Sequence, residues 1–176
     1  MELALAAVEQ EQEETAADLE RVRERLDVLR DALRAQERYA YRNAYRTERL
    51  SVDEVIGESL RVHGAALASA RVAVRLDLRP VDDIVANRHD LLTILYNLLD
   101  NARAAATGGG SSDPWIAVAT FQDGAAVCCA VEDSGPGIPE AARAQVFQYG
   151  FTTREGASGI GLHFSANRMR LFGGSI

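Results

Sequence analysis

The sequence contains no long apolar segment and only two cysteines. None of its hydrophobic runs approaches the roughly 20 residues that cross a bilayer, and its acidic N-terminus is unlike a signal peptide. Cys128 and Cys129 are adjacent in an apolar run, so they suit buried positions in a strand better than a disulfide framework. We therefore predict a soluble chain in the reducing cytoplasm, without membrane contact of its own.

Positive charge is also scarce. The 176 residues include 19 lysines and arginines against 26 aspartates and glutamates, which gives a formal net charge of -7. This balance argues against nucleic acid or an anionic membrane surface as the main partner. The length allows one domain with a sizeable core plus an appendage.

Glycine and proline are absent from residues 1–56, where the composition favours one long helix. An apolar seam with heptad spacing runs along it and consists of Leu19, Val22, Leu26, Leu29 and Leu33. A helix that reached Thr47 would be about 65 Å long, too long to be covered by the rest of the chain. We predict that residues 1–50 form a dimerisation helix and that the protein is a homodimer. A solvated single helix is the alternative.

Residues 51–176 carry the signals of alternating strands and helices. A capping box at Ser51–Glu54 and an N-cap residue, Asn87, each predict the start of a helix, and Gly108 predicts the end of the second one. The other predicted elements are a half-buried strand at Arg71–Leu78, a hairpin of Trp115–Phe121 and Ala125–Glu132, and a last helix at Leu162–Leu171. Together they predict an α+β domain, a two-layer α/β sandwich.

The second predicted helix carries two asparagines, Asn97 and Asn101, which stand four residues apart on one face. The apolar stripe that leaves this pair at its edge consists of Leu91, Ile94, Leu95, Leu98, Leu99 and Ala102. Asparagine is a mediocre helix former, so a pair in mid-helix needs another reason. A carboxamide oxygen suits a Mg²⁺ ion carried by a nucleotide. Solvated or mutually hydrogen-bonded side chains are the alternative.

Two glycine patterns follow in an irregular region. Asp133 stands at a strand end before Gly135 and Gly137, which would let a flat ligand approach the backbone. Its carboxylate can accept a hydrogen bond from an exocyclic amine such as that of adenine. The segment Ser158–Leu162 leads directly into a helix, where backbone amides and the helix dipole can cradle a phosphate. Each pattern alone is more typical of a turn, but together they indicate a nucleotide site.

Four segments resemble, in order, the N, G1, F and G2 boxes of the sensor histidine kinases of two-component signalling. They are Asn97–Asn101, Asp133–Gly137, Phe147–Thr153 and Gly159–Leu162. The resemblance covers about half of the chain, and the helix before Ser51 resembles the second helix of the dimerisation and phosphotransfer domain of these kinases. It implies a Bergerat ATP-binding fold for residues 51–176.

The resemblance also implies how the residues of this site divide the work. Asn101 would bind Mg²⁺, Asp133 would bind the adenine amine, and a lid would run from Ile138 to about Ser158. The glycines of the last box would hold the phosphates of ATP. The full set of implied ATP-binding residues is Asn97, Asn101, Arg103, Asp133, Gly135, Gly137, Ile138, Thr152, Thr153, Arg154, Ser158, Gly159, Ile160, Gly161 and Leu162. For Arg103 and Arg154, ordinary surface positions are the alternative.

Asn97 distinguishes phosphoryl transfer from hydrolysis. In the gyrase, Hsp90 and MutL relatives this position is a glutamate that activates water, whereas an amide cannot act as a general base. Transfer to a histidine and relay to the aspartate of a response regulator are therefore implied. Of the three histidines, His89 opens the helix that carries Asn97 and cannot reach its own γ-phosphate, and His63 and His163 suit packing. We expect the acceptor histidine on an upstream helix absent from this chain, which alone would not autophosphorylate.

The pattern departs from the family at two further positions. Ala157 stands where relatives commonly carry the first glycine of the G2 box, which would stiffen the lid or weaken ATP binding. Phe172–Ile176 resembles the start of a strand that completes the sheet, so a fragment without its C-terminal strand or strands is expected. The alternative functions are an anti-sigma-factor-like serine kinase, against which the heptad helix argues, and a degenerate nucleotide-binding or dimerising regulatory module.

Overall fold

The computed structural model describes residues 46–110, 112–154 and 157–176. The elements are β1 (Glu48–Leu50), α1 (Val52–Ser69), β2 (Ala73–Leu78), β3 (Ile84–Ala86), α2 (Arg88–Gly108), β4 (Trp115–Asp123), β5 (Ala126–Asp133), α3 (Glu140–Arg143) and α4 (Gly161–Leu171). None of the helices in these three ranges is long and apolar enough to cross a membrane. The heptad seam and the predicted dimer contact lie outside the described residues.

The strands form two small sheets. In the larger one, β2 is parallel to β4 and β4 is antiparallel to β5, so that Ile116 of β4 lies opposite Val74 on one side and Asp133 on the other. In the smaller one, β1 pairs antiparallel with β3. Residues 48–50 had been assigned to the N-terminal helix, and for them that assignment is wrong because they pair with β3. The described residues from Arg46 to Ile176 belong to one compact unit.

The helices cover one face of the larger sheet. Alternate residues of β4, namely Ile116, Val118 and Thr120, are almost completely buried, as the period of two along a strand requires. The helices contribute the other side of the core, with Val55, Ile56, Leu67, Leu91, Leu95 and Leu99. The α+β prediction is confirmed, and α2 is the central helix because it contacts α1, α4, β4 and β5.

The predicted positions of α2 and of the hairpin are correct. The side chain of Asn87 accepts a hydrogen bond from the backbone amide of Asp90 at 3.0 Å, and the helix runs from Arg88 to Gly108 as predicted. The hairpin turns at Gly124, whose φ of 56° is the left-handed conformation that glycine adopts at low cost. The last helix begins at Gly161, one residue earlier than predicted. The short helix α3 lies in a region that we had expected to be irregular.

Two details of the prediction are wrong. α1 begins where expected, but the side chain of Ser51 makes no capping hydrogen bond, so the capping box does not form. β2 is a strand, but its apolar residues Val74 and Leu76 are 39% and 54% exposed rather than half-buried. Among the described strands, β2 lies at an edge of its sheet, with a neighbour on one side only.

The cysteines lie on β5 as expected, but their burial was predicted wrongly. Cys128 is half-buried and Cys129 is exposed, since β5 is also an edge strand within the described part of the chain. The pKa of the Cys129 thiol is nevertheless raised to about 11, first because the protein desolvates it and then because Asp53 and Cys128 lie nearby. The exposure of Cys129 predicts a thiol that reacts readily, whereas its raised pKa predicts one that reacts slowly.

Candidate nucleotide-binding site

Asn97 connects α2 to the beginning of α4. Its amide nitrogen donates hydrogen bonds to the carbonyl oxygen of Gly161 at 3.2 Å and to the hydroxyl of Ser165 at 3.1 Å. Ser165 is fully buried, and its hydroxyl donates to the same carbonyl at 2.9 Å. This positioning role was missed at the level of sequence, where only the spacing of Gly161 and Ser165, one helical turn apart, could have suggested it.

Asn101 lies one turn further along α2 and is half-buried. Its carboxamide has no hydrogen bond to any residue that the structure describes, unlike that of Asn97. A half-buried amide without a partner is available to a ligand, and its oxygen is a suitable ligand for Mg²⁺. The donor at this position therefore fits the predicted metal.

The turn after β5 brings Asp133 close to the C-terminal half of α2. The Oδ1 atom of Asp133 accepts a hydrogen bond from the amide of Gly135 at 2.9 Å. A Cβ atom at Gly135 would lie 2.7 Å from the carbonyl carbon and oxygen of Ala105, so only glycine permits this approach to the helix. Ser134 fixes the turn from the other side, because its hydroxyl accepts from the amide of Trp115 at 2.9 Å.

The second glycine turn leads into α4. Gly159 has a φ of 67°, and a Cβ atom there would lie 2.5 Å from the carbonyl carbon of Gly150, so the two backbones touch. The amide of Gly150 donates to the carbonyl of Gly159 at 3.2 Å. No side chain caps α4, since Ile160 at the N-cap has helical backbone angles and an apolar side chain. The first-turn amides, beginning at Gly161, are therefore uncapped, as a phosphate cradle requires.

The predicted lid is connected to α4 through His163, for which only a packing role was expected. Its Nδ1 atom lies 3.0 Å from the carbonyl oxygen of Phe147, and its Nε2 atom lies 2.9 Å from the amide nitrogen of Asn167. A carbonyl oxygen only accepts and a carboxamide nitrogen only donates, so these partners suit a donor at Nδ1 and an acceptor at Nε2. The ring of Tyr149 stands edge-on to it at 5.5 Å. His163 therefore connects the loop of the F box to α4.

Near the predicted hinge of the lid, Thr152 makes a tight turn with Arg154. Its hydroxyl accepts from the backbone amide of Arg154 at 3.1 Å and lies 3.3 Å from the carbonyl of the same residue. The guanidinium group of Arg154 lies 3.4 Å from Oδ2 of Asp100, and Arg103 donates to Oδ1 at 2.6 Å. The pKa of Asp100 is lowered, mainly by the hydrogen bond from Arg103.

Two of the boxes thus contact α2, which itself carries the N box: the first glycine turn at Ala105 and the second at Asn97. Arg154, directly after the F box, contacts α2 at Asp100. The F box meets α4 instead, through His163. The next residues of the predicted site are described by their exposure alone. The side chains of Ile138, Thr153, Ser158 and Ile160 are exposed, while Leu162 is half-buried in the first turn of α4.

These features define an α+β domain whose candidate site lies along α2, and comparison with known proteins places the chain in a family. Residues 86–176 match the family described as "Histidine kinase-, DNA gyrase B-, and HSP90-like ATPase". The match covers more than half of the 176 residues, and the chain belongs to this family. The start of the match, at Ala86, lies immediately before the N-cap of α2.

The relatives confirm the predicted resemblance to sensor histidine kinases. The chain is 33% identical over 155 residues to the C4-dicarboxylate transport sensor protein DctB of Rhizobium meliloti (strain 1021), covering 87% of this chain and 24% of that protein. It is 36% identical over 87 residues to the sensor protein CitS of Halalkalibacterium halodurans, covering 49% of this chain and 16% of that protein. The chain thus spans a quarter or less of the length of these relatives.

The fold agrees with that of a solved kinase domain. The catalytic domain of histidine kinase ThkA, in a nucleotide-free form, superposes with a TM-score of 0.64 at 22% identity, over 71% of this chain and 80% of that one. The α+β architecture is therefore that of a histidine kinase catalytic domain.

Proposed function

We propose that this chain is the Mg-ATP-binding catalytic region of a sensor histidine kinase. It would transfer the γ-phosphoryl group to a histidine on an upstream helix absent from this chain, for relay to a response regulator. The observation that carries the proposal is the convergence on α2. The carboxamide of Asn101, which has no hydrogen bond to a described residue, lies on the helix against which the turn of Asp133 and the uncapped start of α4 both pack.

Each group in the proposed site has a distinct task. The Oδ1 atom of Asp133 is held by Gly135, so the carboxylate has a fixed orientation in which it can accept from the adenine amine. Asn101 would hold Mg²⁺, which neutralises phosphate charge when it is bound with the nucleotide. The uncapped amides that begin at Gly161 would bind phosphate oxygens. The remaining contribution is positioning and charge neutralisation, which is most of what phosphoryl transfer needs from a protein.

The contacts of Asn97 support transfer over hydrolysis. Its amide nitrogen is engaged with Gly161 and Ser165, and an amide accepts no proton at neutral pH. The residue therefore maintains the position of α4 and cannot activate a water molecule. With no general base one turn before Asn101, the bound γ-phosphoryl group would persist until an acceptor histidine arrives.

The adenine assignment is tested by competition between ADP and GDP, because guanine carries no amine at the position of the adenine amine. We expect the chain to bind ADP at least tenfold more tightly than GDP, and Asp133→Asn to remove most of this difference, since one hydrogen bond to a charged group is worth about 1.5–3 kcal/mol. Asp123→Asn, at the exposed end of β4, is the matched control. Equal affinity for both nucleotides would argue against the assignment.

The metal assignment is tested by the effect of Mg²⁺ on nucleotide affinity. The unsubstituted chain should bind ADP more tightly with Mg²⁺ than with a chelator, and Asn101→Ala should make the two affinities nearly equal. If Asn101→Ala kept the full Mg²⁺ effect, the metal would be bound elsewhere.

The proposed assembly is a homodimer through the predicted N-terminal helix before β1, with the catalytic region from β1 onward. Leu26→Lys would place a charge on the heptad seam and should shift the chain from dimer to monomer in analytical ultracentrifugation. Glu24→Lys introduces the same side chain off the seam and should leave the dimer intact. A monomeric unsubstituted chain would contradict the dimer.

A further inference from the structure

Asp100 lies between the two arginines of the candidate site, directly before Asn101 on α2. Its Oδ1 atom accepts from Nη2 of Arg103 at 2.6 Å. Its Oδ2 atom lies 3.4 Å from both Nη1 and Nη2 of Arg154. Each carboxylate oxygen therefore holds one guanidinium group, one from the same helix and one from the end of the lid.

Both arginines keep donors that Asp100 does not use. The Nε atom of Arg103 is buried and has no hydrogen-bond partner among the described residues. Among the described residues, Asp100 is the only partner of the Arg154 side chain. The backbone of Arg154 is hydrogen-bonded to the hydroxyl of Thr152. A guanidinium group has five N–H donors, so each can also bind a phosphate oxygen.

The cluster also keeps a favourable charge for an anion. Two guanidinium groups and one carboxylate leave one net positive charge beside Asn101, on a chain whose formal net charge is -7. The Asp100 side chain is 41% exposed and that of Arg154 is 47% exposed, so each pair by itself contributes little stability. What the cluster does achieve is to order two long side chains in one place.

We propose that Asp100 is a positioning residue that holds Arg103 and Arg154 side by side for the terminal phosphates of a nucleoside triphosphate. The inference rests on the proposed function and extends it to the discrimination of ATP from ADP. Without Asp100, each arginine has to be ordered by the ligand itself, at the cost of side-chain entropy. The loss of affinity should be largest for a ligand with a γ-phosphate, because this group lies furthest from the adenine.

The sign of the effect makes the proposal testable. Removal of a carboxylate near a bound polyanion should strengthen binding if charge alone matters. Positioning predicts the opposite, a weaker affinity for the triphosphate. The two accounts therefore differ in direction and not only in size.

The test is calorimetric titration of the full chain with a non-hydrolysable ATP analogue and with ADP, each with Mg²⁺. We expect Asp100→Asn to weaken the affinity for the ATP analogue about three- to fivefold and the affinity for ADP by less. The effect is modest because the cluster is partly exposed. Asp100→Glu should recover part of the loss, because it retains the carboxylate. Asp77→Asn is the matched control, since Asp77 forms another exposed pair, with Arg79 at 2.9 Å on β2, and should leave both affinities unchanged.

Arg154→Ala provides a second, independent arm. If Asp100 acts through Arg154, the loss in ATP affinity caused by the double substitution Asp100→Asn/Arg154→Ala should be smaller than the sum of the two single losses. Tighter binding of the ATP analogue by Asp100→Asn, or an equal loss for both nucleotides, would overturn the positioning role while leaving the proposed function intact. Failure of the unsubstituted chain to bind either nucleotide would overturn both.

Discussion

Gly159 lies against the backbone of the predicted lid at Gly150. Its φ of 67° is unfavourable for any other residue, and an added Cβ atom would also collide with the backbone of Gly150. We expect Gly159→Ala to lower the free energy of unfolding by roughly 3 kcal/mol, from backbone strain and overpacking together. Denaturant unfolding measures this change.

Gly173→Ala separates the two causes. Gly173 has a nearly equal φ of 74°, but no atom lies within 4 Å of the position of an added Cβ. The substitution should cost only the backbone strain, about 1 kcal/mol. Equal losses at the two glycines would show that the contact between Gly159 and Gly150 contributes nothing.

Ala157 was expected to stiffen the lid or weaken ATP binding because it replaces a family glycine. Its amide donates to the carbonyl of Arg154 at 3.3 Å. Its φ is not in the left-handed region, where Arg71 is the only non-glycine among the described residues. The backbone at Ala157 is therefore compatible with an L side chain.

The thiol of Cys129 gives a prediction about pH. Its pKa is raised from 9.0 to about 11, so the thiolate fraction below pH 9 should be roughly a hundredfold lower than in an ordinary cysteine. In a Cys128→Ala background, alkylation by iodoacetamide should be correspondingly slow at about pH 8 and should rise with pH until about pH 11. A rate equal to that of a free thiol would mean that exposure dominates over desolvation.

At the scale of elements, the connection between α2 and α4 depends on Asn97. Asn97→Ala removes two hydrogen bonds from a partly buried amide, and we expect it to lower stability by about 1–2 kcal/mol. Amide hydrogen exchange in α4 should accelerate more than in α1. Asn101→Ala is the matched control, because it removes the same side chain from the same helix at a position where it makes no hydrogen bond to a described residue. Similar losses for both variants would contradict this role of Asn97.

The elements that the sequence predicted well have local signals. Asn87 directly precedes the first residue of α2, and Gly108 is its last residue, so both ends of this helix have a signal in the sequence. Gly124 likewise marks the turn of the hairpin. The exposure of Leu76 and Cys129 could not be predicted, because it depends on which strands lie at the sheet edges. A strand order is set by pairings between distant segments.

In the candidate site, too, some features could be predicted from the sequence and others could not. The asparagines and glycine turns were predicted from spacing, whereas the contact of Asn97 with Gly161 joins residues 64 positions apart. The pair of Asp100 and Arg154 joins residues 54 positions apart. Such contacts follow from the packing of α4 and the lid against α2, and no periodicity within one element encodes them.

At the scale of the whole molecule, the described unit is organised around one helix. α2 supplies buried core residues along one side and the candidate metal ligand on another, and both sheet and lid contact it. A nucleotide bound there would contact α2, the turn after β5 and the start of α4. Binding should therefore stabilise the whole unit, by an amount that grows with ligand concentration.

The most direct test of this account is a calorimetric titration of Mg-ADP into the unsubstituted chain and into Asp133→Asn. The account predicts saturable binding of one nucleotide per chain, weakened at least tenfold by the substitution, because the adenine amine loses a charged acceptor. Absence of binding by the unsubstituted chain, or equal affinity in both proteins, would contradict the claim that this unit is an ATP site built around Asp133 and Asn101.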